Sequence, residues 1–287
     1  WQDRPAGRTQ EFRHDQAACR GRCPEGRQEI RRGHCAAECV ILFPFNVTFS
    51  PMPFALDPSI DTSELARRFA ATGRVTIERF LARGGAELLH ENLRSRSDWC
   101  QVINSGEKLF ELDRNTRRNM SAGRIRSLDQ AVYAGARRGF QFRYETIRIS
   151  DDPKVRSRSK DVLAKYASWL SNGEARDLLR EINGDNTIGF ADAQATAYSP
   201  GDFLTRHDDN VAGKNRSAAY VLSLCPEWRV EWGGLLLMHE AEGHGAAAII
   251  PGFNRLNLFR VPQVHSVSEV SQASPFRRYA LTGWLRR

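Results

Sequence analysis

The strongest constraint on the fold lies in the last third of the chain, where the hydrophobic period becomes two and stays two. Short alternating segments fall near residues 193–199, 203–209, 217–224, 234–238, 246–250, 255–260, 263–270 and 277–285. Turn residues separate them: Pro200-Gly201, Gly213, Pro226, Gly233-Gly234, Gly243, Pro251-Gly252 and Pro262. A period of two puts alternate side chains on opposite faces of a strand. Evenly spaced short strands with turn signals close into a sandwich or barrel, and eight of them suit a jelly roll.

Residues 52–190 read as support for that core. Asp61-Thr-Ser-Glu64 supplies cap residues, and Leu65 and Phe69 an apolar face, which predicts a helix over 62–72 stopped by Gly73. Arg74–Phe80 alternates as a strand, Leu88, Leu89 and Leu93 mark a helix over 84–96, and strand-like sequence flanks Gly106 over 100–112. From 120 to 183 the pattern reads as helical. Leu163, Tyr166, Trp169 and Leu170, then Leu178, Leu179 and Ile182, are spaced to pack on a sheet, and Gly184-Asp185 closes the layer. The expected class is α+β: a jelly roll of about eight strands over 191–287, buttressed by N-terminal and central helices, in a single domain from 52 to 287.

Residues 1–51 have another texture, rich in Arg, Gln, Gly and Cys and without lysine. Cys19, Cys23, Cys35 and Cys39 form two Cys-x3-Cys pairs, a spacing that suggests zinc, yet the segment between the pairs holds too little apolar sequence to pack a finger around a metal. The run Cys39–Phe45 follows basic residues in the manner of a signal peptide but is short and broken by Pro44. The expectation is a disordered or non-native leader ahead of a start at Met52. No run approaches the roughly 18 apolar residues of a membrane span, so a soluble protein is expected. Cys100 and Cys225 are too few for a disulfide framework, which suits a reducing cytoplasm.

The formal charge of +8 is concentrated in the centre, in Arg114, Arg117, Arg118, Arg124, Arg126, Arg137, Arg138, Arg143 and Arg148. Acidic residues are interspersed, which favours a solvated face and leaves RNA binding as the alternative. Tyr133, Phe140, Phe142 and Tyr144 read as core or sheet-covering residues rather than base-stacking platforms.

Chemistry converges on the jelly roll. His207 and Asp209 stand two apart on a strand, so both side chains share a face while Asp208 points away. His265, on the seventh strand, is either a satisfied core histidine or the third ligand of the same ion. Two histidines and one carboxylate leave several positions of a six-coordinate ion open, as in non-haem Fe(II) oxygenases. Arg278 shares a face with Ala280, Thr282 and Trp284. An arginine inside a small barrel needs an anion, and its planar fork suits a carboxylate. The alternative is an exposed arginine with its stem along apolar surface.

Five motifs then carry a family resemblance: Tyr198-x-x-Gly201-Asp-x-Leu-x-x-His207-Asp-Asp209, Trp232-Gly-Gly-Leu235, Asn257-Leu-Phe259, His265-Ser-Val267 and Arg278-Tyr-Ala-Leu-Thr-Gly-Trp284. From Met52 onward the chain resembles the Fe(II)- and 2-oxoglutarate-dependent dioxygenases of the prolyl-4-hydroxylase-like branch. Within it, the likeness is greatest to the ribosomal-protein prolyl hydroxylases and their bacterial relatives. The resemblance implies a double-stranded β-helix, iron held by His207, Asp209 and His265, and Arg278 clamping the distal carboxylate of 2-oxoglutarate. The resemblance also implies that Tyr198 borders the cosubstrate and substrate pocket. Where related hydroxylases carry a further tyrosine for that carboxylate this chain has Ser223, which leaves the contact open, and Tyr220 lies on the opposite face.

The implied reaction is oxidative decarboxylation of 2-oxoglutarate to succinate and carbon dioxide, with O2 as cosubstrate and hydroxylation of an unactivated C–H bond. Asp209 sets the chain apart from related halogenases, which lack the carboxylate. The resemblance further implies a prolyl residue of a protein as target, ribosomal or translation-associated partners, stimulation by ascorbate, a cytoplasmic location, and a monomer or homodimer. The alternatives are a small-molecule hydroxylase acting on a free amino acid, and a non-catalytic β-helix that binds metal or RNA.

Overall fold

The computed structural model describes residues 53–240 and 243–287. The expectations for residues 1–51, namely the leader, the paired cysteines and the start at Met52, lie outside the described residues.

Helix α1 (Thr62–Thr72) begins at its expected cap, where the Asp61 carboxylate accepts from the Glu64 N–H at 3.0 Å. That satisfies a donor the first turn cannot. It ends at Gly73, whose φ of 69° is the left-handed conformation that closes helices. Strand β1 (Arg74–Ile77) and helix α2 (Gly85–Ser95) follow. Next come the hairpin of β2 (Cys100–Ser105) and β3 (Lys108–Leu112), then helices α3 (Arg114–Arg118) and α4 (Ala122–Ala136). Strand β4 (Phe142–Arg148) leads to helices α5 (Pro153–Arg158), α6 (Val162–Leu170) and α7 (Gly173–Asn183). Strands β5 (Phe190–Ala191), β6 (Gln194–Tyr198), β7 (Phe203–His207), β8 (Arg216–Leu224) and β9 (Leu236–His239) come next. The chain ends with β10 (Ala246–Ile249), β11 (Phe253–Arg260), β12 (His265–Val267) and β13 (Arg278–Arg286).

The strands pair antiparallel in one curled sheet, in the order β1-β11-β8-β13-β6-β4-β7-β12-β9-β10, with β2 and β3 extending from β4 and β5 lying on β13. All eight expected strands of the jelly roll are present, as β6 to β13, and five earlier strands join them. The alternation sorts their faces. Tyr220, Leu222 and Leu224 of β8, Leu281 and Leu285 of β13, and Ala195 and Ala197 of β6 face the helices and share one core with Leu89, Leu93, Leu163, Leu179 and Ile182. Full burial of each such leucine or isoleucine contributes about 1.5–3 kcal/mol. The other face of the same strands turns into the curl of the sheet, where the site lies.

The segment 120–183 is not wholly helical, because β4 crosses it. Its charged residues concealed the strand. Arg143 and Glu145, 7% and 4% exposed, look in the sequence like a solvated helix face but lie on the back of β4. Each is buried because it is paired: Arg143 with Asp129 and Asp202, Glu145 with Arg117 and Arg277. Charges enter an interior only with such partners. The central arginines therefore divide into buried network members and exposed residues such as Arg124, Arg126, Arg137 and Arg138.

Candidate active site

His207 closes β7 and His265 opens β12, and the two stand opposite one another in the antiparallel register, ring centres 4.1 Å apart. Asp209 reaches them differently from the expectation of two residues on one strand face. It lies beyond the end of β7 with φ of 62°, a left-handed conformation that aspartate tolerates better than most residues. This turn brings the carboxylate back between the two rings. Its Oδ1 lies 3.5 Å from His207 Nε2 and its Oδ2 3.4 Å from His265 Nε2. One ligand atom from each of the three residues falls within 4.8 Å of the others, among the described residues.

The hydrogen bonds select the imidazole tautomers. His207 Nδ1 is 3.0 Å from the Thr205 carbonyl and His265 Nδ1 is 2.7 Å from the Gln263 carbonyl. A carbonyl only accepts, so the proton sits on each Nδ1 and the Nε2 lone pair is free for the centre. Burial, reinforced by the neighbouring His207, pushes the His265 imidazole down to about 4. Both effects favour the neutral ring a metal needs. One carboxylate and two imidazoles with further positions open is the donor set that fits Fe(II).

The triad lies in a cavity of about 350 Å³ lined by inward residues of the curled sheet, among them Gln194, Thr196, Tyr198, Val221, Thr282 and Trp284. Arg278 lines it too. It is 2% exposed, its Nε has no hydrogen-bond partner, and no carboxylate lies within ion-pair distance among the described residues. A desolvated guanidinium left this way is costly until an anion arrives. Tyr198 is its register partner across β6 and β13, and the guanidinium carbon lies 5.2 Å from the Tyr198 ring centre. The expected face of Arg278, Ala280, Thr282 and Trp284 is thus the cavity face.

Ser223 is buried opposite Ala280 and is not a cavity-lining residue. Tyr220 turns its hydroxyl away from the cavity, donating to the Asp192 carbonyl at 2.8 Å. The aromatic that does enter is Tyr144 of β4, stacked on Tyr198 with ring centres 5.1 Å apart. Burial raises both phenols above their ordinary range, so each keeps its proton near neutral pH. Sequence reasoning gave Tyr144 no role at the site, although its alternation with Phe142 was the available signal. It also passed over Arg216, which stacks 3.5 Å above the Trp284 ring and donates to the Asp209 carbonyl at 2.9 Å. That bond holds the left-handed turn of the carboxylate ligand. No local pattern announces it, because one contact spans the β7–β8 loop and the other crosses to β13.

The profile of the 2OG-Fe(II) oxygenase superfamily matches residues 193–286. The chain carries a 2OG-Fe(II) oxygenase domain. Prolyl 3-hydroxylase OGFOD1 of Mus musculus is 30% identical to the chain over 140 residues, 46% of this chain and 24% of that protein. Its Xenopus laevis counterpart is 28% identical over 153 residues, 50% of this chain and 28% of that protein. The chain thus matches about a quarter of the length of these curated relatives. A prolyl-4-hydroxylase structure from Pseudomonas putida superposes with a TM-score of 0.50 at 20% identity, covering 79% of this chain and 98% of the other. A Trichoplax adhaerens prolyl hydroxylase, in complex with a hypoxia inducible factor oxygen degradation domain peptide fragment, gives 0.51 at 21% identity, covering 78% and 87%. At these identities the likeness is one of fold. It reaches beyond the oxygenase domain into the supporting helices and strands.

Proposed function

We propose that the chain is an Fe(II)- and 2-oxoglutarate-dependent dioxygenase that hydroxylates a prolyl residue in a protein. The observation that carries this reading is Arg278, a buried guanidinium without a partner in the same cavity as a three-ligand metal site. A metal site alone would serve many proteins; one beside an unsatisfied cation suits an anionic cosubstrate that also chelates the metal. His207, Asp209 and His265 would hold the iron, and Arg278 the distal carboxylate of 2-oxoglutarate.

Bound iron with 2-oxoglutarate and O2 supplies the oxidising chemistry, which yields succinate, carbon dioxide and a hydroxylated C–H bond. The protein's own part is positioning and exclusion of water. The Nδ1–H groups of both histidines, anchored on carbonyls, fix the direction of the Nε2 lone pairs. Arg216 holds Asp209 in its return turn, and Tyr144 stacked on Tyr198 fixes the wall beside Arg278. Leu204, Leu236, Phe259 and Val267 keep the remaining wall apolar, which strengthens every electrostatic contact inside.

A prolyl target in a protein is supported by the matched relatives, named as prolyl 3-hydroxylases, and by the fold shared with a hydroxylase bound to a peptide. Ribosomal or translation-associated partners, a cytoplasmic location and stimulation by ascorbate belong to the same reading and rest on the resemblance. No helix among the described residues is long and apolar enough to cross a membrane.

The test is incubation of the protein with Fe(II), 2-oxoglutarate and ascorbate, following succinate and peptide mass. The expected result is succinate formed together with a peptide one oxygen heavier at proline, and no product from free proline. Absence of 2-oxoglutarate consumption with peptide, or equal turnover of free amino acids, overturns the proposal.

A further inference from the structure

We propose that the substrate polypeptide continues past the mouth of the cavity along a track that is first apolar and then cationic, so that a proline flanked by apolar and then acidic residues is selected. The inference rests on the prolyl hydroxylase reading above.

The track is a succession of concavities with shared walls. The metal cavity is bounded at one side by Phe140, whose ring centre lies 5.6 Å from that of His207. The same Phe140 lines a second concavity of about 680 Å³ between the β2-β3 hairpin and α4, walled by Ile103, Leu112 and Val132. Met120 and Leu128 line this groove and also a third concavity of about 580 Å³. Shared wall residues therefore link the three concavities in series, from the metal cavity through the groove to the third cleft.

The groove has unusually apolar exposed flanks. Phe110 and Phe140 both line the groove and are 48% and 49% exposed, and of the α4 residues only Val132 is buried. Contiguous apolar surface of this kind marks an interaction site. The cleft beyond it has the opposite chemistry. Arg114, Arg117, Arg118, Arg143 and Arg277 line it against Asp129, Glu145 and Asp202, five cations to three anions. Glu145 already serves both Arg117 and Arg277, and the buried Nε of Arg277 has no partner. Arg114 and Arg118, one turn apart on α3, have no carboxylate partner among the described residues.

A peptide matches this order better than a nucleic acid does. Phosphates follow one another at every nucleotide and would meet mostly apolar groove walls, with Arg138 the one cation among its lining residues, whereas a polypeptide can place leucines there and carboxylates beyond. The excess charge therefore complements an acidic segment carried by the same chain whose proline reaches the metal.

The test uses the full chain loaded with Mn(II) in place of iron, with 2-oxoglutarate present, and fluorescence anisotropy of labelled, end-blocked peptides. Each peptide carries a central proline, neighbouring leucines, and a run of either glutamates or lysines beyond, in both chain directions. Partly exposed ion pairs at Arg114 and Arg118 predict a preference of about tenfold for the acidic peptide in one direction. Arg114→Glu with Arg118→Glu should reverse that preference, while Phe110→Ser should weaken both peptides several-fold. Melting midpoints report whether each variant is folded, and Arg114→Gln with Arg118→Gln, which should erase the preference, replaces the charge reversal if that variant is not. No preference in either direction, or one that survives these substitutions, overturns the proposal. Tighter binding of a single-stranded RNA oligomer at the same arginines also overturns it in favour of phosphate recognition. Binding with the expected preference but no hydroxylation of the peptide would instead count against the prolyl hydroxylase reading and leave the docking track standing.

Discussion

Replacing Arg278 with methionine separates the two consequences of a buried, unpartnered charge. The side chain is 2% exposed and its Nε has no acceptor, so without cosubstrate it is desolvated with no return. Substituting an apolar side chain of similar length for a buried ionic group stabilises by about 1–4 kcal/mol. At about 2–4 °C per kcal/mol for a domain of this size, Arg278→Met should melt several degrees above the parent when 2-oxoglutarate is absent. The same change leaves the distal carboxylate buried without a counter-charge, which costs about 3–5 kcal/mol, roughly a hundredfold to several thousandfold in affinity. A ligand raises the melting midpoint in proportion to the logarithm of its concentration over Kd. Mn(II) with 2-oxoglutarate should therefore raise the midpoint of the parent and leave that of the variant almost unmoved. Thermal melts of both proteins, with and without the pair of ligands, make the comparison in one experiment. A variant that melts well below the parent without ligand would refute the premise that Arg278 awaits an anion, and a retained ligand-induced rise would place the cosubstrate carboxylate elsewhere.

Asp209→Asn keeps a side chain that accepts the left-handed turn but removes its charge, and should lower Mn(II) affinity by at least about a hundredfold, as read by paramagnetic relaxation of water. Stability should also depend on pH through Asp192. Burial raises the Asp192 carboxyl to about 6 although it accepts from the Trp284 N–H. The unfolded chain titrates near the ordinary 3.8, so between these values the native state holds a proton the unfolded state has lost. The stability this group contributes is complete below about pH 4 and disappears as pH rises through 6. Asp192→Asn keeps the acceptor without the titration, and should match the parent near pH 4 while exceeding it above pH 7 by on the order of 3 kcal/mol. Denaturant midpoints across that range check the sign, and a variant less stable than the parent at high pH contradicts it.

The sequence by itself determined what depends on near neighbours. Alternation placed β6 to β13, and turn residues separated them. The helix signals of α1, from Asp61 to Gly73, were legible because a cap and a left-handed glycine act over one turn. Donor chemistry and the family resemblance put His207, Asp209, His265 and Arg278 forward as candidates, and the shared face of Arg278 with Trp284 followed from the period of two. Only the tertiary structure decided how these groups meet. His207 and His265 come together through the register of β7 on β12, and Asp209 joins them through a left-handed turn that Arg216 holds from another strand. Strand β4 stayed hidden because Arg143 and Glu145 resemble a solvated face until Asp129, Asp202, Arg117 and Arg277 are brought beside them. The same fold put Tyr144 rather than Ser223 in the cavity wall. Local pattern reports which face a side chain takes, while the partner that makes a buried charge tolerable is supplied only when distant strands pair.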